Sequence, residues 1–249
     1  MFKQVVVVAG LLLVAGCGGS GDDSESRSRF TKDNFSQKMT AALLAEGTMH
    51  VEMQVDAGSQ QITMSGDQVM GRSIDDSAMS MTYSESGEDG FEMRLVDGIF
   101  YANFGESSEG KFVRVDPKDP ASPIGETLAP MADELDLTRS IREFADAITE
   151  VEQQGDGQRI DGVGTTPYKV TLDVDRAIES GALEKDTQLR PGASVVYTFY
   201  IDADDRVRRM ESSVDSAHVR MDVTNLGDPV EIDAPPASQV IDESAFTGG

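Results

Sequence analysis

Histidine and cysteine side chains are common metal ligands and nucleophiles, and this chain of 249 residues contains two histidines and one cysteine. A structural zinc site needs about four such ligands at close spacing. His50 and His218 instead lie on outward or mixed positions of predicted strands, with no cysteine or histidine beside them. We therefore predict no metal site and no cofactor, and we expect both histidines at the surface.

An acidic run, Asp202-Ala203-Asp204-Asp205, could suggest a calcium loop. It lacks the glycine and the terminal glutamate of the EF-hand spacing, so a hairpin turn is the better interpretation. The sequence also has no glycine-rich phosphate loop and no nucleophile elbow. These patterns predict a protein that is not an enzyme, although a catalytic triad can assemble from positions far apart in a sequence.

The single cysteine follows a short leader of the export type. Lys3 provides a basic start, residues 5–15 are almost entirely apolar, and small residues lead into Cys17. The apolar run is too short for a membrane-spanning helix of about 20 residues, which favours a signal peptide over residues 1–16. Val14-Ala15-Gly16-Cys17 resembles the bacterial lipobox, and this resemblance implies that Cys17 becomes the first mature residue and carries a thioether-linked diacylglycerol. The alternative, a buried cysteine in a first strand, finds no support in the polar residues that follow.

Two acyl chains are sufficient for stable membrane anchoring. We therefore expect a protein held on the extracytoplasmic face of the cell membrane through diacylglyceryl Cys17, with residues 17–29 as a flexible tether. A folded domain is predicted over residues 30–235, followed by an extended C-terminal tail over residues 236–249. With one cysteine, already used for acylation, no internal disulfide can form.

The chain is strongly acidic, with 45 aspartates and glutamates against 21 lysines and arginines and a formal net charge of -24. Such a surface repels phosphate backbones and anionic headgroups, so nucleic acid is excluded as a partner. The acid excess is typical of a well-solvated surface. Adaptation to a salt-rich habitat is the alternative, and composition does not decide between them.

The apolar spacing predicts one helix followed by many strands. The helix begins at Thr31 and is stopped by Gly47, with Thr31 or Asp33 as its cap. Its apolar stripe at helical spacing consists of Phe35, Met39, Ala42 and Leu43. After Gly47 the apolar period becomes two, which is typical of strands with one covered face. Asp97-Gly98 is a strong hairpin signal. Alternation of this kind recurs in eleven segments that begin near Met49, Ile62, Met79, Phe91, Phe100, Phe112, Val151, Tyr168, Val195, Val207 and Val219.

The strands are interrupted between Asp116 and Pro123, where proline and acid are dense. Two helices are predicted there, Ser122 to Leu135 and Thr138 to about Ala147, and a short helix capped by Asp175 ends near Gly181. We predict an α+β fold. It consists of a single large curved antiparallel sheet, an unclosed half-barrel of about eleven strands, covered on its concave face by helices.

Several segments carry a resemblance to a known family: the lipobox at Cys17, the hairpin 96–101 leading to 112–115, the run from Ile160 to Asp173, and the ending 225–236. Their order is similar to that of the mycobacterial LppX and LprG type of lipoprotein, whose domain is similar to the half-barrel of the LolA lipoprotein carrier. This resemblance implies a curved sheet closed by helices around an apolar cavity that holds acyl chains of an envelope lipid. It carries over no catalytic residue, and Cys17 is the one functional position that transfers.

Methionine is the most informative bias of the predicted domain. Methionines on the apolar strand faces can be plain core, since methionine fills irregular gaps, or a deformable wall for a flexible apolar ligand. A core selected for unique packing favours leucine, isoleucine and valine, which favours the second interpretation. The predicted cavity residues are Met49, Val51, Met53, Ile62, Met64, Met79, Met81, Phe91, Met93, Leu95, Leu128, Met131, Phe144, Val170, Leu172, Tyr197, Phe199, Val219 and Met221.

The sequence thus predicts a lipid-anchored carrier or chaperone that binds acyl chains of a lipid or lipoprotein, with an envelope transport protein as a possible partner. The alternative is a non-enzymatic sensor or docking scaffold for an envelope protein complex. A large dry cavity favours the carrier, whereas a collapsed interior with an exposed apolar patch favours the scaffold.

Overall fold

The computed structural model describes residues 29–58, 60–86, 88–119, 121–125, 128, 143–183, 189–214 and 217–247. The predicted signal peptide, Cys17 and nearly all of the tether lie outside these residues, as do Met131 and most of the two helices predicted after Ser122.

Three helices carry labels: α1 (Phe35–Glu46), α2 (Val174–Ser180) and α3 (Glu243–Thr247). Residues 123–125, 128 and 143–147 are also helical. The strands are β1 (Thr48–Ala57), β2 (Gln60–Val69), β3 (Ala78–Glu85), β4 (Glu88–Val96), β5 (Ile99–Asn103), β6 (Phe112–Val115), β7 (Ile148–Gln153), β8 (Gln158–Ile160), β9 (Val163–Asp173), β10 (Ser194–Asp202), β11 (Val207–Val214), β12 (Ala217–Thr224) and β13 (Val240–Asp242).

The thirteen strands belong to one large sheet whose described pairing ends at β13 and at β7 without closing. The strand pairs within β1 to β6 and within β7 to β11 are antiparallel, and β13 pairs parallel to β6. The predicted fold class, α+β with a large unclosed sheet, is confirmed. The two strands beyond the predicted eleven are β8 and β13, which have three residues each and are too short to show a period in the sequence.

The described residues fall into two compact units. The first contains residues up to Ala45 and those from 143 to Arg220, and the second contains residues from Glu46 to 128 and from Met221 onward. Strand β12 starts in the first unit and ends in the second.

In the first unit, α1 buries three of the four side chains predicted for its apolar stripe, and Ala42 is half-buried. Phe35 and Met39 are fully buried and Leu43 nearly so. The Phe35 ring meets Phe199 of β10 edge to face, and Phe30, which precedes the helix, packs against Phe35 and Tyr168. The helix is therefore fixed by aromatic packing on β9 and β10, and it ends at Gly47, whose positive φ of 74° suits glycine.

The short helix α2 follows β9 in the first unit. Its N-cap is Asp173, whose carboxylate accepts a hydrogen bond from the Arg176 backbone N–H, rather than Asp175 as predicted. A cap lies outside the helix and bonds to the second or third helical N–H, and Asp175 already lies inside the first turn. The helix ends at Gly181 with φ 95°, as expected.

The second unit is an antiparallel meander from β1 to β6. The predicted Asp97-Gly98 turn joins β4 to β5 with both residues at positive φ, which matches the type I′ hairpin. The C-terminal residues, expected to be an extended tail, instead add β13 to the edge of β6 and continue into α3. Ile241 and Phe246 pack against the core of this unit, so burial of two large apolar side chains accounts for the difference.

Candidate functional site

The cross-strand register arranges the apolar side chains of the second unit in rows across β1 to β6. Directly opposed residues share one face of a sheet, so each row lies on the same side of the meander. The first row is Met49, Gln68, Met79, Leu95, Phe100 and Val115; the second is Val51, Gly66, Met81, Met93, Ala102 and Val113; the third is Met53, Met64, Tyr83 and Phe91.

Burial decreases from the first row to the third. All six residues of the first row are buried. In the second row Gly66 and Met81 are half-buried, and in the third row Met64, Tyr83 and Phe91 are half-buried while Met53 is 4% exposed. On β2, β3 and β4 the apolar face is therefore closed core in the first row and a partly accessible apolar surface in the third, whereas on β1 it stays buried as far as Val55, which is 1% exposed.

The candidate cavity residues of the second unit divide into a buried group and a half-buried group. Buried candidates are Met49, Val51, Met53, Met79, Met93 and Leu95. Half-buried candidates are Ile62, Met64, Met81, Phe91, Leu128 and Met221. Met81, Phe91 and Leu128 pack on a buried core cluster that consists of Met79, Met93, Leu95, Phe100, Val113 and Val115.

Aromatic rings continue the third row beyond the strands. Tyr83 stacks on Phe91 with ring centroids 4.9 Å apart, Phe91 lies 6.4 Å from Phe104, and Phe104 stacks on Phe246 at 5.3 Å. Burial raises the pKa of the Tyr83 phenol, and the neighbouring Glu85 carboxylate, which accepts its hydrogen bond at 3.4 Å, raises it further. This row of rings was not predicted as a unit, because Phe104 follows the last residue of β5 and Phe246 lies 142 positions further along the chain.

The candidate residues of the first unit are more deeply packed. Phe144, Val170, Leu172, Tyr197 and Phe199 are all at most 9% exposed, while Val219 is half-buried. The rings of Phe144, Tyr197 and Phe199 contact one another in sequence at 6.2 and 6.1 Å. Burial raises the pKa of Tyr197 to about 12. In this unit the apolar strand face is thus occupied by its own side chains and those of α1.

The acidic run 202–205 forms the hairpin turn between β10 and β11, as predicted. The Asp202 side chain is 2% exposed and its Oδ2 accepts hydrogen bonds from Nε of both Arg206 and Arg208 at 2.9 Å. Asp202 Oδ2 therefore already bonds to two guanidinium groups, whereas a calcium site would need this oxygen as a ligand.

The described part of the chain contains no cluster of metal-ligating side chains and no membrane-spanning helix. None of its side chains form a group of three or more histidines, cysteines, aspartates and glutamates able to hold a metal ion. None of its helices is long and apolar enough to cross a membrane.

Comparison with known proteins gives similarity in structure but not in sequence. No protein-family model matches the chain, and no curated protein matches it significantly. Lipoprotein LppX from Mycobacterium tuberculosis is similar in structure, with a TM-score of 0.50 and 14% identity over 77% of this chain and 94% of that chain. LprF from Mycobacterium bovis gives a TM-score of 0.53 and 17% identity over 83% of this chain and 97% of that chain.

At sequence identities this low, the structural similarity establishes the fold and nothing further. The chain has the fold of the LppX and LprF lipoproteins over nearly the whole length of those two chains. The resemblance predicted from the sequence is thereby confirmed at the level of the fold.

Proposed function

We propose that this protein binds the acyl chains of a lipid or lipoprotein on the half-buried apolar surface of its second unit and carries them without catalysis. The observation that supports the proposal is the burial gradient, which leaves Met64, Met81, Tyr83 and Phe91 half-buried and not exposed. Among the described residues Val196 is the large apolar side chain that is exposed, so the exposed apolar patch expected of a docking scaffold is not found in them. A face that served only as core would be closed along its whole length.

The side chains on this surface suit a flexible ligand. Methionine has three rotatable bonds and adapts its shape, and the stacked rings of Tyr83 and Phe91 offer a flat apolar contact. Each methylene moved from water onto such a surface gains about 0.8 kcal/mol. Ten methylenes would gain about 8 kcal/mol before the cost of association, so a long chain can bind here without a polar anchor.

The binding experiment uses a fluorescent fatty acid and a pair of charge variants. Met64→Lys places a cation on the third row, whereas Thr63→Lys places the same cation on the opposite face of the same strand. We expect Met64→Lys to weaken probe binding at least tenfold, which corresponds to about 1.4 kcal/mol, and Thr63→Lys to bind as the wild type does.

Extraction of protein made in its own host, followed by mass spectrometry, supplies the natural ligand. If neither lipid extraction nor the fluorescent probe detects binding, the carrier proposal is wrong, and the docking scaffold takes its place. Equal loss of probe binding in Met64→Lys and Thr63→Lys would also count against the carrier proposal, since a general effect of the added charge would then explain the result.

We further propose that Cys17 is diacylated and anchors the protein on the extracytoplasmic face of the cell membrane. The support is the leader and the Val14-Ala15-Gly16-Cys17 motif. Cys17→Ala should move the protein from the membrane fraction to the soluble fraction, while Ser24→Ala, a neutral change in the tether, should not. Membrane retention of Cys17→Ala would contradict the anchor without affecting the acyl-binding proposal.

A further inference from the structure

The polar face of β1 and β2, opposite the apolar rows, brings together a histidine, a serine and an aspartate. His50 of β1 lies directly across from Asp67 of β2, and Ser65 precedes Asp67 by two residues on the same face. Alternation along β2 and antiparallel pairing with β1 thus place the side chains of Ser65 and Asp67 in contact with His50.

The hydrogen bonds run in the order that a serine nucleophile requires. His50 Nδ1 lies 2.7 Å from Asp67 Oδ1, and Ser65 Oγ lies 3.2 Å from His50 Nε2. An ionised carboxylate only accepts hydrogen bonds, so in the tautomer with its proton on Nδ1 the imidazole donates to Asp67, and its Nε2 then accepts from the Ser65 hydroxyl. The side chains of His50 and Asp67 are 30% and 45% exposed, so a reagent can reach the site from solvent.

We propose that Ser65, His50 and Asp67 form an acyl-transfer site that reacts with activated esters. Ser65 Oγ attacks the carbonyl carbon while its proton passes to His50 Nε2. The bond from that carbon to the leaving oxygen then breaks, and His50 returns the proton to the departing alcohol. A water molecule releases the acyl group as a carboxylic acid by the same proton path. Ser65 and His50 are the catalytic residues, and Asp67 is a positioning residue.

The neighbouring residues define the substrate class. Ser65 pairs with Glu52 of β1 and Thr82 of β3, so the backbone around it is engaged in ladders on both sides. An oxyanion therefore gains no backbone donor from β2, and one such donor is worth about 10²- to 10³-fold in rate. Glu52 opposite Ser65 also repels anions. The site accordingly takes neutral or cationic esters with good leaving groups, and its turnover is slow.

The chain contains a matched control. Ser213 Oγ lies 2.8 Å from His218 Nδ1, an exposed serine–histidine pair in which Nδ1 faces the serine rather than a carboxylate. This pair has a similar distance and greater exposure but lacks the order of hydrogen bonds found around His50. It separates the effect of that order from simple proximity of the two residue types.

The experiment treats purified protein with a fluorophosphonate probe and locates the label by peptide mass spectrometry. We expect label on Ser65, loss of that label in Ser65→Ala, and at least a tenfold slower labelling rate in Asp67→Asn. Ser213→Ala should label as the wild type does. Urea unfolding of each variant confirms that the fold is retained.

Absence of label on Ser65 in the folded wild type would overturn the proposal and leave the three side chains as a structural hydrogen-bond network. So would an unchanged rate in Asp67→Asn, because the positioning role would then be absent. This inference is independent of acyl-chain carriage, which concerns the opposite face of the same strands.

Discussion

At the scale of single residues, Asp202 shows how one carboxylate fixes a hairpin. Its Oδ1 accepts from the backbone N–H groups of Asp204 and Arg206, and its Oδ2 from two guanidinium groups. Burial by itself would raise the pKa of Asp202, but the hydrogen bond from the Arg206 backbone and those from Arg208, Asp204 and the Arg206 side chain bring the pKa below its ordinary value. The folded protein thus holds the ionised form.

Asp202→Asn should lower the free energy of unfolding by about 2 kcal/mol at neutral pH, since charge-assisted bonds from two arginines lose their acceptor charge. Because the folded-state pKa is depressed, this contribution is present above the ordinary value of 3.8 and is lost as the pH falls through the lower folded-state value. Urea unfolding across pH 3 to 7 measures both effects.

The control for this prediction is Asp204→Asn in the same turn. Its side chain is 70% exposed, and its ion pair with Arg206 is therefore expected to contribute little. A change within about 0.5 kcal/mol is expected for this variant. Equal destabilisation by the two substitutions would contradict the special role of Asp202.

At the scale of elements, the β2–β3 pair depends on a glycine within the second apolar row. A Cβ atom at Gly66 would lie 2.0 Å from the Ser80 carbonyl oxygen and 2.8 Å from Met81 Cα. Both are backbone atoms, so a methyl group there forces the strands apart instead of displacing a flexible side chain.

Gly66→Ala should therefore lower the free energy of unfolding by about 2–3 kcal/mol, as overpacking does. Gly164→Ala in β9 is the matched control, because a Cβ there meets no atom within 4 Å. That control should change stability by less than about 1 kcal/mol. Urea unfolding of the two variants side by side is the measurement, and a Gly66→Ala protein as stable as the wild type would show that β2 and β3 can separate without cost.

The C-terminal segment is a second element that stabilises its unit. The Glu243 carboxylate accepts hydrogen bonds from the Ser122 hydroxyl and, at 2.7 Å, from the Ile124 N–H, and Phe246 stacks on Phe104. The C-terminal segment thereby caps the helical residues 123–125, and its Phe246 ring covers part of Phe104.

Removal of residues 240–249 should lower the free energy of unfolding by about 2–3 kcal/mol, from two partly buried side chains and a lost cap. It should also raise the fluorescence of an apolar dye, because Phe104 becomes more accessible. Ser244→Ala, an exposed change in α3, is the control. Unchanged stability and dye fluorescence after truncation would show that this segment does not pack as described.

At the scale of the whole molecule, the net charge of -24 implies repulsion within the folded chain. Salt shortens the reach of this repulsion from about 30 Å at 0.01 M to about 3 Å at 1 M. We expect the thermal midpoint to rise by several degrees between low salt and 0.5 M sodium chloride, since 1 kcal/mol corresponds to about 2–4 °C at this size.

Potassium chloride should give the same rise, and sucrose of equal osmolality gives the baseline for a solute that does not screen charge. A flat or falling midpoint in both salts would mean that the acidic surface is already balanced by local pairing. The measurement also bears on the choice between an ordinary solvated surface and adaptation to salt, which composition left open.

The sequence alone determined those features that arise from neighbours along the chain. The α1 stripe of Phe35, Met39 and Leu43, the alternation of the long strands and the Asp97-Gly98 turn follow from local period and backbone preference, and they are present as predicted. The sign of the overall charge is likewise a matter of composition.

Which part of each apolar face is closed and which is open follows from the tertiary structure. That Met53 is buried while Met64 opposite it is half-buried depends on what packs over each residue, and alternation is identical in both cases. The meeting of His50, Ser65 and Asp67, and the addition of β13 to β6, depend on strand register and on contacts between distant segments. Such long-range pairing is a property of the folded chain as a whole, and local sequence patterns do not encode it.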